Sequence, residues 1–191
     1  MLSRCIVSAM MVVALPWSML AQEQARTITQ LILGVGLTGS ESGWSQPTYT
    51  AGFDVKRSTS NLSLRVVTEY TASDRTTDSF WSSSRTVGVQ LLGVRTFGAH
   101  RIQPYVVAGS GLYQTSTEGV GSQFYQDTSG ALFSRPVPYK RIETRPTLIW
   151  GTGANIRMGS GALFFELKLP LYYNNAFHVG PQSPLLVGVR F

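Results

Sequence analysis

The feature that most constrains this chain is a period of two. Beyond the N-terminus, apolar residues recur at every second position through segments of roughly ten residues, a pattern that sorts two faces on an extended strand and mixes them on a helix. In the clearest segment Leu62, Leu64, Val66, Thr68 and Tyr70 share one face, while Ser63, Arg65, Val67 and Glu69 share the other. No apolar run past the N-terminus approaches the roughly 20 residues that a membrane-crossing helix needs. The chain is therefore expected to be all-β. Hydrophobic residues make up 43% of it and charged residues only 14%, against roughly 25% charge in soluble domains. Part of the surface is expected to face something other than water.

Eight strands can be marked: 27–38, 48–56, 62–70, 86–97, 101–114, 144–158, 163–172 and 184–191. In the fourth, Leu92 to Thr96 fits either face, which leaves a bulge open there. Pro104, Pro146 and Pro170 fall within or near strand ends, where each removes a ladder donor; the sequence offers no reason for Pro170. The connections 58–61, 98–100 and 159–161 are short, whereas 39–47, 71–85, 115–143 and 174–183 are long or medium. Strict alternation of short and long connections puts all the short turns at one end, as in bacterial outer-membrane barrels with tight periplasmic turns and longer outside loops. An open sheet edge in hydrocarbon would leave peptide groups unsatisfied, so the sheet must close. The expected fold is an eight-stranded antiparallel up-and-down transmembrane β-barrel in the bacterial outer membrane. A soluble periplasmic barrel remains the alternative, and it requires the apolar faces to point inward.

Residues 1–21 read as an export signal, with Arg4 ahead of the apolar run from Cys5 to Leu20 and Ala21 as the last residue removed. That leaves 22–191 as the barrel. An uncleaved anchor is the other reading, and the short run broken by Pro16 argues against it. The single cysteine, Cys5, leaves with the signal, which suits an oxidising periplasm. Without Arg4, 15 basic residues stand against 10 acidic ones. They are scattered singly and form no phosphate-tracking patch, so no nucleic-acid partner is expected.

The chain ends Leu185-Leu186-Val187-Gly188-Val189-Arg190-Phe191, which resembles the terminal strand of outer-membrane β-barrel proteins. The stretches Pro104 to Gly111 and Phe164 to Leu167 likewise resemble strands of OmpA/OmpX-type small barrels. The resemblance implies that Leu185, Val187, Val189 and Phe191 are read by the barrel-assembly machinery; because the chain stops with the barrel, no trailing peptidoglycan-binding domain is expected.

Eight strands enclose an interior that side chains can fill. The inward set is expected to include Gln30, Asp54, Lys56, Arg65, Glu69, Gln90, Asn155, Arg157, Glu166 and Lys168, with Gly34, Gly36, Gly109, Gly111, Gly151 and Gly153 making room. Both signs of charge are present, which predicts a paired lumenal network without a wide channel. Arg65 with Glu69, and Glu166 with Lys168, are the pairs that strand spacing suggests. Trp44, Tyr49, Tyr70, Trp81, Tyr113, Trp150, Tyr172 and Tyr173 are assigned to interfacial girdles, with ligand stacking as the alternative.

Hydrolase or acyltransferase chemistry on lipid needs a nucleophile, a histidine and an orienting acid. His100 falls in a short turn, and His178 could meet Ser183 or Ser129 only through loop folding. No metal-ligand spacing appears, so neither catalysis nor a metal or other cofactor is expected. Connection 115–143 carries Phe124, Tyr125, Phe133 and Tyr139 among adaptable polar residues, which suits surface binding as well as a mobile loop. The expected function is non-enzymatic: surface structure or interaction through outside loops, with 71–85 and 115–143 as contact segments and outer-membrane lipids as neighbours. Transport of small hydrophobic molecules is the alternative, and the inward charges disfavour it.

Overall fold

In the computed structural model the described residues are 26–40, 43–77, 80–126, 128, 130–174, 176–179 and 184–191. The expected export signal 1–21 lies outside them. Among the described residues nine strands form: β1 Thr27–Ser40, β2 Gly43–Arg57, β3 Leu62–Thr77, β4 Phe80–Thr96, β5 Ile102–Gln126, β6 Leu132–Met158, β7 Gly161–Asn174, β8 Ala176–Val179 and β9 Pro184–Arg190. Each of β1 to β7 pairs antiparallel with the next, and β9 pairs with both β7 and β1 to close the ring. β8 lies along the far end of β7. It and β9 are thus two pieces of one stave, and the barrel has eight staves.

The faces sort as the period of two requires. Leu31, Leu33, Phe53, Leu64, Leu91 and Phe165 are each between 43% and 52% exposed, while Asp54, Arg65, Val67 and Glu69 are buried. The apolar set points outward, which overturns the soluble-barrel alternative. Short turns at 58–61, 97–101 and 159–160 share one end with Thr27 and Phe191. Gly98 and Gly159 take φ of +73° and +60° in two of them, a region that favours glycine.

β4 has no bulge at Leu92–Thr96: its registers with β3 and β5 run without a break, and Leu92 and Val94 point inward. The interior needs apolar filling at that level, where Val94 packs with Tyr105 and Val107. The shift in register falls in β1 at Thr38/Gly39 instead. One expectation fails here, since most of the connections read as long loops are continuations of strands. β5 and β6 stay paired to Gln126↔Leu132, and β3 and β4 to Thr77↔Phe80.

β6 is flanked by β7 only from Thr147 to Met158. From Leu132 to Pro146 its other edge has no ladder partner among the described residues. Arg157 donates its amide to the carbonyl of Arg101, the residue just before β5, so odd positions of β6 face β5 and even ones face the opposite side. Pro136, Pro138 and Pro146 are all even, so the open edge lacks a donor at each of the three. Proline blunts exposed strand edges against pairing with other chains. The double variant Pro136→Thr, Pro138→Thr should restore two donors. We expect it to self-associate in detergent, read as a rise in mass by light scattering over the parent protein. The same alternation accounts for Pro170: its amide position faces away from β6, between the end of the β9 ladder at Leu167 and the start of the β8 ladder at Leu171.

Candidate functional site

The inward residues stack in layers along the barrel axis. At the centre, Arg65 on β3 donates through Nε to Asp54 Oδ1 at 2.8 Å and through Nη1 to Glu166 Oε2 at 2.5 Å. Arg190 on β9 reaches Asp54 Oδ2 at 3.1 Å, and the Tyr105 hydroxyl donates to Glu166 Oε2 at 2.8 Å. Both guanidiniums lie 5.5 Å from the centre of the Tyr105 ring, so charge and aromatic face are sandwiched. Next, Lys168 donates to Glu69 Oε1 at 2.5 Å and to Gln90 Oε1 at 2.9 Å, and stands 3.4 Å from Glu166. Tyr113 donates to the second Glu69 oxygen at 2.8 Å and accepts from Gln90 Nε2.

Three cations, Arg65, Lys168 and Arg190, thus meet three carboxylates, Asp54, Glu69 and Glu166. Buried charges persist only when paired and hydrogen-bonded, and here each carboxylate has at least two donors. Apolar groups fill the rest: Val67, Leu92, Tyr113 and Ile149 form one cluster, and Ile32, Phe164 and Leu186 another. Toward the outer end, hydroxyls take over. Thr38 bonds Thr48, Thr48 bonds Thr71 at 3.1 Å, and Thr86 bonds Thr115 at 3.0 Å. The lumen is a packed core.

The structure brings together six of the residues expected inside: Asp54, Arg65, Glu69, Gln90, Glu166 and Lys168. Lys56 and Arg157 do not join them. They line the short-turn mouth, Lys56 partly buried and Arg157 exposed. Of the two pairs that strand spacing suggested, Glu166 with Lys168 forms at 3.4 Å, whereas Arg65 with Glu69 does not: Arg65 pairs with Asp54 and Glu166, and Glu69 with Lys168. Side chains across the small lumen are nearer than neighbours along one strand. Tyr105, Tyr113 and Arg190 were missed as network members. Tyr113 is a correction: placed in the girdle by position, it is only 8% exposed, because odd positions of β5 face in and Leu112 faces out. Tyr172 meets it edge-on with ring centres 5.9 Å apart, on the inside. Tyr49 and Tyr70 do sit on the outer face, stacked at 6.5 Å, and Trp81 and Trp150 are exposed. The side chains of Trp44 and Tyr173 lie outside the description.

The second feature is the β5–β6 ribbon. From Leu132 to Pro146 it runs past the β7 ladder for roughly 50 Å along the strand, at ~3.3 Å per residue. Tyr125 stacks on Phe133 near its tip at 5.8 Å, and Phe124 and Leu132 are more than 70% exposed. Glu143 is bracketed by Arg141 and Arg145. His100 is exposed in its turn; Ser129, Ser183 and the His178 side chain lie outside the description. Among the described residues no group of His, Cys, Asp and Glu could hold a metal ion.

A closed eight-stave barrel with an apolar exterior and a charged, filled interior is the fold of the small outer-membrane β-barrels. Among the solved structures that share it are two. One is Neisserial surface protein A (NspA), with TM-score 0.55 and 15% identity over 86% of this chain and 95% of that one. The other is a major outer membrane protein from Thermus thermophilus, with TM-score 0.57 and 12% identity over 86% of this chain and 98% of that one. No protein-family model and no curated protein sequence matches the chain.

Proposed function

We propose that this protein is a non-enzymatic integral protein of the bacterial outer membrane that acts at the cell surface through its outer hairpins, above all the β5–β6 ribbon. The observation that carries this reading is the ribbon itself, exposed apolar and basic groups held on paired strands that run past the β7 ladder and, from Gly121 to Val137, past the β4 ladder as well. Exposed hydrophobics in such a setting mark interaction surfaces. A neighbour in fold is named a surface protein, which agrees. Lipid would surround the apolar belt. Leu185, Val187 and Phe191 face outward on and beside β9 and Val189 shares their parity, as recognition by the assembly machinery requires. Removal of 1–21 on export completes the proposal, and N-terminal sequencing of the mature protein should begin at Gln22.

The test replaces 121–137 by an Asn-Gly turn, which suits a two-residue hairpin. Trimmed protein should still fractionate with the outer membrane and show a heat-modifiable gel shift, while attachment of expressing cells to surfaces and to one another is lost. Unchanged attachment would refute the reading. In planar bilayers the intact barrel should show no stable channel, because three ion-paired cations and their carboxylates close the lumen; a steady conductance would favour transport instead.

A further inference from the structure

At the short-turn end the lumen opens into a cavity of about 350 Å³. Its polar wall includes Gln30, Lys56, Gln103, Asn155, Arg157 and Arg190 beside several Ser, Thr and Asn side chains, and no described carboxylate lines it. Charge in the network above is balanced, so Lys56 and Arg157 leave the mouth with two positive charges in excess. Neither makes an ion pair among the described residues. One buried side chain also reaches this wall with donors unused. Arg190 is 6% exposed and spends only Nη1 on Asp54, leaving Nε and Nη2 without a hydrogen-bond partner. Buried guanidinium donors without acceptors are strongly disfavoured. An anion in the cavity satisfies them once the Arg190 fork, buried in this structure, turns toward it, and guanidinium forks match phosphate oxygens in geometry.

We propose that this cavity binds a compact dianion, a phosphate group, with Arg190 as the buried anchor and Lys56 and Arg157 as the rim charges. Asn155 and Gln103 supply amide N–H donors beside it. The charge matches, since two rim cations meet a dianion while the Arg65 layer stays neutral. The cavity also lies at the lower end of the roughly 300–1,000 Å³ of small-ligand sites. The site is independent of the ribbon, so it stands or falls apart from the surface function.

The probe is inorganic phosphate, titrated by calorimetry into the folded barrel in an uncharged detergent at constant ionic strength. Saturable one-to-one binding is expected. Lys56→Gln and Arg157→Gln should each weaken it about tenfold, the scale of one charge-assisted hydrogen bond. Asn155→Asp, which puts a fixed anion in the wall, should abolish it. The heat-modifiable shift confirms that each variant is folded. Absence of saturable binding, or binding unchanged in the Lys56→Gln, Arg157→Gln double variant, would overturn the proposal. A repeat in nanodiscs of phosphatidylcholine with or without phosphatidic acid, whose phosphomonoester can carry two charges, separates the sources. Lower phosphate affinity with phosphatidic acid identifies a lipid headgroup as the competing occupant, and equal affinity identifies soluble phosphate.

Discussion

Arg65→Leu is expected to lower the folding stability of the barrel by about 3–5 kcal/mol, the range seen when one member of a buried ion pair is removed. The magnitude follows from what is left behind. Arg65 is 1% exposed and serves Asp54 with two nitrogens and Glu166 with a third. Without it, Asp54 keeps Arg190 at 3.1 Å, and Glu166 keeps Tyr105 and a longer contact to Lys168 at 3.4 Å. Three carboxylates then share two cations in a space that excludes water. Removing a matched pair should behave differently. In Glu69→Gln, Lys168→Met the charge balance is kept, and the remaining groups can stay hydrogen-bonded, so the loss should be much smaller than in Lys168→Met alone. The measurement is the urea midpoint of the heat-modifiable band for protein folded into vesicles. An Arg65→Leu midpoint equal to that of the parent would mean that water reaches Asp54 and Glu166, and the plugged lumen would be wrong.

Which parts of this were legible in the sequence follows from where hydrophobic contrast exists. Within the membrane belt one face meets lipid and the other a polar core, so Leu62 to Tyr70 displays its alternation openly and the inward charges can be named. Above the belt both faces meet water. Thr115, Thr117 and Glu143 therefore carry no apolar period, and β5 and β6 read as a loop although they pair to the tip. Parity also says nothing of height. Lys56 and Arg157 share the inward parity of Asp54 and Asn155, yet they sit at the mouth, because strand tilt and stagger set axial level and neither is encoded in a single strand. Closure set the ion-pair partners, joining Arg65 to Glu166 across 101 positions of chain. Arg190 escaped notice because the terminal segment drew attention to its outward residues; the even parity it shares with Leu186 was the available signal.

The tight curl of eight strands makes a second large effect, at Gly109 on β5. A Cβ added there would stand 2.1 Å from the Leu91 carbonyl oxygen and 2.8 Å from the Leu92 Cα. Both obstructing atoms are backbone of the neighbouring strand, so no rotamer change relieves them. Gly109→Ala must push β4 from β5 where the two share a continuous ladder, Leu92 opposite Gly109. Overpacking a core costs about 1–3 kcal/mol when side chains can yield, and Gly109→Ala should exceed that. Gly93, one pair along the same ladder opposite Ala108, supplies the control. Its added Cβ would meet nothing nearer than the Ala108 carbonyl oxygen at 3.7 Å, on the lipid-facing side. Gly93→Ala should therefore be neutral or stabilising by about 0.4–1 kcal/mol, through the smaller entropy of the unfolded chain. Folding yield into vesicles and urea midpoints for the two alanines report the difference. If Gly109→Ala folds as well as Gly93→Ala, the ladder has slack at that pair, and glycine is not what lets β4 and β5 approach so closely.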